Sequence, residues 1–492
     1  MTASFSRMEP PPGVQQRALD RTLKPQWVFA LAVGSAVGWG AFVLPTDWLE
    51  SGGFVGTSLG FLIACVLICI IAFSYGVVIR ELPVTGGGVA YALAGTGRAG
   101  AFVAGWCLTL GYAGIVALNA SAIALVFRLV VPELVMTIPL YQIAGWRVYL
   151  PEVIVSIVAL VALAWINIRG AELSGRLQYI SVVVMLVGVS LVFLGALGSY
   201  LLQGKPHLGT FPADASPFAA VTAIVAFAPW AYVGFDNVPQ TAGEFKFSPR
   251  KALALLLWGI VAATLIYVAM TFSAAVGVQS PSFVVSPDSA WPTATAITAY
   301  AGRIGVVTMV VSVSMGVVTG LNGFFISASR VLFALGRAGM IPAAFARIHP
   351  TSRTPAFGVV FTALLCLPTT FLGRAALLWI VDMTSVGIAI AYFFTCFCAF
   401  RIGSTGIVSG MVQPKKRSPL LAATGIAGCL IAIGFILLLL VPQSPGALSQ
   451  PALFALVIWF AFGLLFFMIR LPVLLKASRN EVEKAIFEAD PI

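Results

Sequence analysis

The stretch AFAPWAYVGFDNVPQ, residues 226–240, places two prolines, a glycine and an aspartate inside a strongly apolar segment. Pro229 and Pro239 each remove a backbone donor, and Gly234 accepts backbone conformations that other residues avoid. A helix in lipid must satisfy its own backbone groups, so a break at mid-depth is tolerated only where the freed groups face protein or a water-filled cavity. The stretch therefore predicts a broken membrane helix beside a polar site.

The rest of the chain is apolar enough to lie largely in lipid. Hydrophobic residues make up 60% of its 492 residues and charged residues only 9%, which is outside the range of soluble domains. Apolar runs of about 20 residues, each long enough to cross a bilayer as a helix, recur along the chain. They predict an all-α polytopic membrane protein with twelve transmembrane helices, at approximately 27–49, 54–79, 99–131, 151–169, 175–203, 217–243, 251–279, 291–337, 355–373, 375–400, 419–441 and 451–475.

The basic residues predict the orientation of these helices. Sorted by alternate loops, 23 of the 28 Lys and Arg residues fall on one side, which the positive-inside rule assigns to the cytoplasm. We therefore expect both termini in the cytoplasm and the protein in the cytoplasmic membrane. The basic residues are scattered among the loops, so we expect the lipid bilayer and no nucleic acid as a partner. Residues 1–26 predict a disordered cytoplasmic tail, and residues 476–492 a short cytoplasmic tail.

A second segment, GSAVGWGAFVLP at residues 34–45, repeats the pattern of the first. Gly40 precedes Pro45 by five residues, as Gly234 precedes Pro239. Interrupted helices at corresponding positions of two halves point to an inverted-repeat transporter with a central site. The pattern predicts repeats at 27–203 and 217–400, followed by two helices within 419–475. Close helix packing is the alternative role for these glycines.

Four stretches resemble the amino acid–polyamine–organocation permeases. They are GSAVGWGAF in the first span, RELPVTGGGVAYALAGTGRAGAFVAGW at 80–106, WAYVGFDNVPQTAGEFKFSPRKA at 230–252 and LNGFFISASRVLFALGRAGMIPAAFARIHPTSRTP at 321–355. The resemblance covers about residues 27–475. It implies a LeuT-type fold of five plus five helices with helices 1 and 6 broken, followed by two extra helices.

The resemblance also implies a substrate site at the two breaks. In the first span, the amides near Gly38, Trp39 and Gly40 would receive a substrate carboxylate, and a bulky tryptophan departs from the usual small residue. Trp39 therefore has three possible placements: crowding the carboxylate position, stacking on the substrate, or packing outward. In the sixth span, carbonyls of residues 228–232 would accept an ammonium, and Trp230 or Tyr232 would form an aromatic gate. The expected substrate-binding set is Gly34, Ser35, Gly38, Trp39, Gly40, Asn119, Ala228, Trp230, Ala231, Tyr232 and Gly234.

Asp236 and Asn119 each have more than one possible role. An intramembrane carboxylate is expensive, so Asp236 is expected to be functional. It could carry a proton, pair with a substrate ammonium, or accept hydrogen bonds from amides freed by the break. Asn119, on the third span, could contact the substrate or bridge helices.

The resemblance implies further roles away from the breaks. Glu244, Lys246 and Arg250 would form an ion-pair network at an inner gate. Ser312 and Thr319 in the eighth span would be the candidate ligands of a coupling sodium ion. The lysine that some proton-coupled relatives carry in the fifth span is missing here, which leaves Asp236 as the leading titratable group.

These features predict a secondary transporter that moves an amino acid or a related organic amine by alternating access, with proton coupling or exchange favoured over sodium. The chain has no nucleotide-binding loop, no metal-ligand cluster and no visible nucleophile–base pair, so we expect no enzyme, no cofactor and no metal. A membrane nutrient sensor or scaffold with the same fold is the alternative. Trp39 and Asp236 tilt the substrate slightly towards amines. Substrate identity, coupling mode, flux direction and oligomeric state are left open by the sequence.

Overall fold

A computed structural model describes residues 19–143, 145–283, 291–372, 374–411 and 413–487. Within these ranges the chain is mostly helical, with one short antiparallel hairpin. Nine of the described helices are long and apolar enough to cross a membrane, and three shorter apolar helices cover the predicted first, sixth and ninth spans. The chain is therefore a multi-pass membrane protein.

The first half of the chain contains eight helices and the hairpin. The helices are α1 (Pro25–Val37), α2 (Gly40–Val43), α3 (Pro45–Glu81), α4 (Gly87–Thr96), α5 (Arg98–Val130), α6 (Pro132–Val135), α7 (Leu150–Arg169) and α8 (Ala171–Leu202). The hairpin pairs β1 (Pro139–Ile143) with β2 (Trp146–Tyr149).

The second half begins with the fragmented sixth span and ends with a short helix beyond the last long one. Its helices are α9 (Pro217–Ala226), α10 (Ala228–Ala231), α11 (Asn237–Gln240), α12 (Ala252–Val278), α13 (Pro292–Arg337), α14 (Ala356–Cys366), α15 (Arg374–Thr405), α16 (Pro419–Leu440), α17 (Gln450–Lys476) and α18 (Arg479–Phe487). Short 3-10 turns lie at Ala242–Glu244, Pro249–Lys251, Ala343–Ala346 and Leu367–Phe371.

Glycine backbone angles divide the two longest helices. In α3, Gly53 has φ +64°, so the end of the first span and the second span meet at a kink. In α13, Gly302 has φ +55° and separates a short first piece from the long eighth span. The length of the apolar segment 291–337 predicted such an additional piece. These left-handed angles are accessible to glycine at little cost, which is why the kinks occur there.

The first span lies inside the bundle. Helix α1 packs against α8, α12 and α13, and α11 packs against both α1 and α13. Side chains such as Val28, Val33 and Phe42 are fully buried, whereas the long helices expose leucines and isoleucines on their outer faces. Apolar residues facing outward are expected where the surrounding solvent is lipid. The two broken spans are thus enclosed by the others.

The structure describes parts of both segments that were expected to be tails. Residues 1–18 and 488–492 lie outside the described residues. From Leu19 onward the chain packs on the body, with Leu19 and Leu23 buried, and Leu23 bridges to Phe245 in parallel. At the other end α18 buries Val482 and Ile486. Burial of these apolar side chains favours contact between the two end segments and the body.

Candidate functional site

The first span breaks at Gly38. Helix α1 ends at Val37, and Gly38 takes φ +47° and ψ −143°, a conformation that strongly favours glycine. A Cβ atom at Gly316 would lie 2.1 Å from the carbonyl oxygen of Gly38, so the unwound backbone rests directly on the eighth span. The amides of Trp39, Gly40 and Ala41 donate no hydrogen bond to any group in the described part of the chain. Three free donors therefore point out of the break.

The sixth span breaks next to the first. Helix α10 ends at Ala231 and α11 begins at Asn237, with Gly234 at φ +132° between them. A Cβ atom at Gly234 would lie 2.4 Å from the amide nitrogen of Ala36. The two unwound segments consequently touch, and glycine is required on the side of the sixth span.

Tyr267 of α12 joins the two breaks. Its hydroxyl lies 2.7 Å from the carbonyl oxygen of Ala36 and within hydrogen-bond distance of the carbonyl oxygen of Ala231. Both are terminal carbonyls that have lost their helical partners, and the single O–H proton lies within reach of either of them. Tyr267 thereby holds the two helix ends together.

Asp236 is completely buried at the sixth-span break. Its carboxylate accepts a hydrogen bond from the Gly234 amide at 2.8 Å and another from the Tyr112 hydroxyl at 2.7 Å. The side chain of Gln240 in turn donates to the Asp236 backbone carbonyl at 3.2 Å. Of the three roles considered for Asp236, the contacts of a hydrogen-bond acceptor at the break are present. No described Lys or Arg forms an ion pair with this carboxylate.

Two indoles lie against the breaks. The rings of Trp39 and Trp230 meet edge to face with centroids 6.0 Å apart, and both side chains are buried. A Cβ atom at Gly40 would approach the Trp230 ring to 2.4 Å, so this ring packs directly on Gly40. The structure places Trp39 inward, against the other indole. Tyr232 points elsewhere, since its hydroxyl bonds to the Phe61 carbonyl and to Thr264.

Unpaired polar atoms surround the first break. The hydroxyl of Ser35 and the side-chain oxygen of Asn119 are buried without a hydrogen-bond partner in the described chain. That Asn119 oxygen lies 3.7 Å from the Cβ position of Gly38, while its amide donates to the Ile115 carbonyl at 2.9 Å. Unsatisfied buried polar atoms are costly, so they mark a place where a polar ligand can bind.

The backbone carbonyls expected to receive an ammonium are partly used inside the protein. The Ala228 carbonyl accepts the Tyr232 amide at 3.0 Å, and the Trp230 carbonyl accepts the Val233 amide at 3.3 Å. The Ala231 carbonyl is the one approached by Tyr267. Carbonyl oxygens have two lone pairs each, so these contacts leave acceptor capacity.

The two hydroxyls proposed for a sodium ion have different surroundings. Thr319 donates towards the Gly34 carbonyl at 3.0 Å and therefore reaches the first span. Ser312 bonds back to the Thr308 carbonyl of its own helix at 2.6 Å. Beside Gly34 lies Gln178 of the fifth span, whose amide donates to the Ala30 carbonyl at 3.3 Å. A neutral amide thus lies where the first, fifth and eighth spans meet.

The inner-gate residues are not arranged as the sequence suggested. Glu244 forms a buried bidentate pair with Arg330 of α13, with N–O distances of 2.9 and 2.8 Å. Lys246 and Arg250 are exposed and form no ion pair with Glu244. The N-terminal segment covers the same place, because Leu23 donates to the Glu244 carbonyl and accepts from the Lys246 amide. The backbone of Leu23, and not the side chains of Lys246 and Arg250, contacts the end of the sixth span here.

Sequence reasoning missed Tyr112, Tyr267, Arg330 and Gln178. Sorting the basic residues by loops counts Arg330 as an inner-side loop charge, whereas its side chain is 2% exposed. The sequence did contain a signal for Arg330. It is an ionisable residue inside an apolar run, and such residues are expected to be functional. The tyrosines carry no such local signal, because their hydroxyls find partners on other helices.

The chain is similar in sequence to known permeases and transporters. A family model described as amino acid permease matches residues 23–462. The branched-chain amino acid permease BcaP of Bacillus subtilis is 24% identical over 69% of this chain and 72% of its own length. The serine/threonine exchanger SteT of the same organism is 25% identical over 83% of this chain and 89% of its own. A vacuolar cationic amino acid transporter 2 of Arabidopsis thaliana is 25% identical over 76% of this chain, which spans 58% of that relative.

Proposed function

Because this chain belongs to the amino acid permease family, we propose that it is a secondary transporter that moves an amino acid across the cytoplasmic membrane by alternating access. The family and the relatives are permeases and transporters and not enzymes. One observation carries the proposal: two helix breaks touch each other in the middle of the bundle, with three free amides on one of them. Such a pair of breaks is the arrangement by which bundles of this kind bind small polar solutes.

The free amides favour a substrate that has a carboxylate. The amides of Trp39, Gly40 and Ala41 have no acceptor in the described part of the chain and can therefore donate to an anion. An amine without a carboxylate would leave these donors unpaired. Asp236, the group that would attract such an amine, already accepts two hydrogen bonds. These contacts move the expected substrate from an amine to an amino acid, and the related amine becomes the second candidate.

The substrate side chain is a separate question. The names of the relatives refer to branched-chain, serine or threonine, and cationic substrates. Trp39 and Trp230 line the covered site with apolar rings. We propose that the backbone of the breaks binds the α-amino and α-carboxylate groups, and that the two indoles limit the size of the side chain.

Coupling to a proton is the part of the proposal that rests on Asp236. Its carboxylate contacts a sixth-span amide and the Tyr112 hydroxyl of the third span, so gain or loss of its proton would change a contact between the two spans. Exchange of one substrate for another needs no such group. Sodium is less favoured, because Ser312 uses its hydroxyl within its own helix.

Uptake into proteoliposomes tests the transport proposal. Vesicles containing the purified protein are loaded with unlabelled amino acid or with buffer, and entry of labelled branched-chain, hydroxylated and cationic amino acids is followed at imposed pH gradients. The proposal expects uptake of at least one class above protein-free vesicles. A proton gradient that drives uptake into empty vesicles indicates symport, and a requirement for internal amino acid indicates exchange. No uptake or exchange of any class would support the sensor or scaffold alternative instead.

A further inference from the structure

A cleft on the arginine-rich side of the molecule is lined by residues outside the two helix breaks. It encloses about 630 Å³, within the range of small-molecule sites. Its walls come from the turn between α4 and α5, the end of α15 and the helix α18. The sorting of basic residues predicts that this side faces the cytoplasm, so the cleft lies where headgroups of the inner leaflet and cytosolic solutes both have access.

Three guanidinium groups and one carboxylate line this cleft, namely those of Arg98, Arg401, Arg479 and Glu483. The local charge is therefore an excess of two positive charges. The wall between them is formed by the apolar residues Leu93 and Phe397 and by the small residues of the turn. Phe397 and Arg401 are four residues apart on α15, so both point to one face of that helix.

The three arginines differ in how far they are already engaged. Arg98 donates to the carbonyls of Leu474 and Ala477, at 2.5 and 2.9 Å, at the end of α17. Arg479 donates to Glu483 at 2.7 Å and to the Ser409 hydroxyl at 2.9 Å. The guanidinium of Arg401 has no hydrogen-bond or ion-pair partner in the described part of the chain. One forked donor is thus available, with two further positive charges beside it.

We propose that this cleft binds a phosphate group, with Arg401 as its principal ligand and Arg479 as the second. A guanidinium fork matches two phosphate oxygens, and such charge-assisted pairs are the stronger class of hydrogen bond. The neighbouring apolar wall and the position at the membrane boundary suit the glycerophosphate headgroup of an anionic lipid. A free cytosolic phosphate ester offers the same chemistry. Glu483 competes with the ligand for Arg479.

Two probes distinguish the sources of the phosphate. In the first arm, sn-glycerol 3-phosphate is titrated into the purified full-length protein in neutral detergent, with thermal stability as the readout. In the second arm, mixed micelles of phosphatidylcholine with or without phosphatidylglycerol are titrated, and retained lipid is counted by native mass spectrometry. The variants are Arg401→Gln and Glu483→Gln. Arg176→Gln is the matched control, because that side chain is 65% exposed and paired only with Glu172.

The two variants should change the affinity for the phosphate probe in opposite directions. Arg401→Gln should weaken binding of the phosphate probe about tenfold, as expected for one lost charge-assisted pair. Glu483→Gln should tighten it, because Arg479 is released from its carboxylate. If the protein prefers phosphatidylglycerol and does not bind glycerol phosphate, the site is assigned to a lipid. If it binds both probes, the phosphate group alone is recognised. Equal binding by Arg401→Gln and Arg176→Gln, or weaker binding by Glu483→Gln, would overturn the site.

Discussion

At the scale of single residues, the site depends on glycines that bring backbone against backbone. A Cβ atom at Gly234 would lie 2.4 Å from the Ala36 amide nitrogen, and one at Gly316 would lie 2.1 Å from the Gly38 carbonyl oxygen. Gly234 and Gly38 both have positive φ. The sequence revealed both positions, since glycine and proline inside an apolar run act through local backbone geometry. It did not reveal Tyr267, because the two carbonyls that this hydroxyl contacts belong to spans distant along the chain.

Gly234→Ala should be strongly destabilising. The new methyl group would lie 2.4 Å from the Ala36 amide nitrogen, in a backbone conformation that alanine rarely adopts. We expect a loss of at least about 1–3 kcal/mol from backbone strain alone, with the steric overlap added. Thermal unfolding in detergent measures it. Gly198→Ala in α8 is the control, because its Cβ would meet nothing within 4 Å and alanine favours a helix. Equal melting temperatures for the two variants would contradict the contact between the breaks.

Asp236→Asn tests the coupling proposal. Asparagine retains an oxygen that can accept from the Gly234 amide or from Tyr112, but it cannot exchange a proton. If Asp236 carries the proton, wild-type uptake rises with external acidity, whereas uptake by the variant is independent of pH and substrate binding persists.

The control for this variant is Asp382→Asn. Asp382 lies on α15, and its carboxylate accepts from the amide and hydroxyl of Ser449. Uptake by Asp382→Asn should keep the pH dependence of the wild type. A pH profile of Asp236→Asn that matches the wild type would reject the role of Asp236 in coupling and leave its contacts at the break as its function.

At the scale of elements, one cluster of contacts joins the sixth span, the eighth span and the N-terminal segment. Glu244 and Arg330 form its buried ion pair, and the backbone of Leu23 bonds to Glu244 and Lys246. The end of the sixth span was predictable from its motif, whereas the partner of Glu244 was not. Pairing between α13 and the sixth span is set by how the helices pack, which local sequence patterns do not report.

Glu244→Gln should lower the stability of the folded protein. It leaves the Arg330 guanidinium buried without its counter-charge, and breaking a buried pair in this way costs about 3–5 kcal/mol. We expect a lower melting temperature, with part of the loss regained in the double variant Glu244→Gln/Arg330→Met. Glu172→Gln, in the exposed pair Glu172–Arg176, should cost less than about 1 kcal/mol. If the Glu244→Gln protein were as stable as the Glu172→Gln protein, the buried pair would contribute nothing to the stability of the fold.

At the scale of the whole molecule, composition alone predicted a multi-pass helical membrane protein, and the described helices and the family confirm it. The apolar periodicity is strong enough to locate most spans, because lipid requires long uninterrupted apolar helices. The count of twelve, the inverted repeat and the orientation of the termini stay predictions. The substrate side chain was not predictable, since it depends on rings such as Trp39 and Trp230 that meet only in the folded bundle.

The most direct test of the central claim compares the ligands that stabilise the purified protein. Branched-chain, hydroxylated and cationic amino acids are each paired with the amine formed by removing the carboxylate, and melting temperatures are measured at saturating concentration. A ligand at about 100 times its dissociation constant adds roughly 2.7 kcal/mol to the stability of the folded state. If the free amides of the first-span break bind a carboxylate, at least one amino acid raises the melting temperature and its amine does not. An amine that stabilises the protein as much as its amino acid, or more, would contradict the carboxylate site.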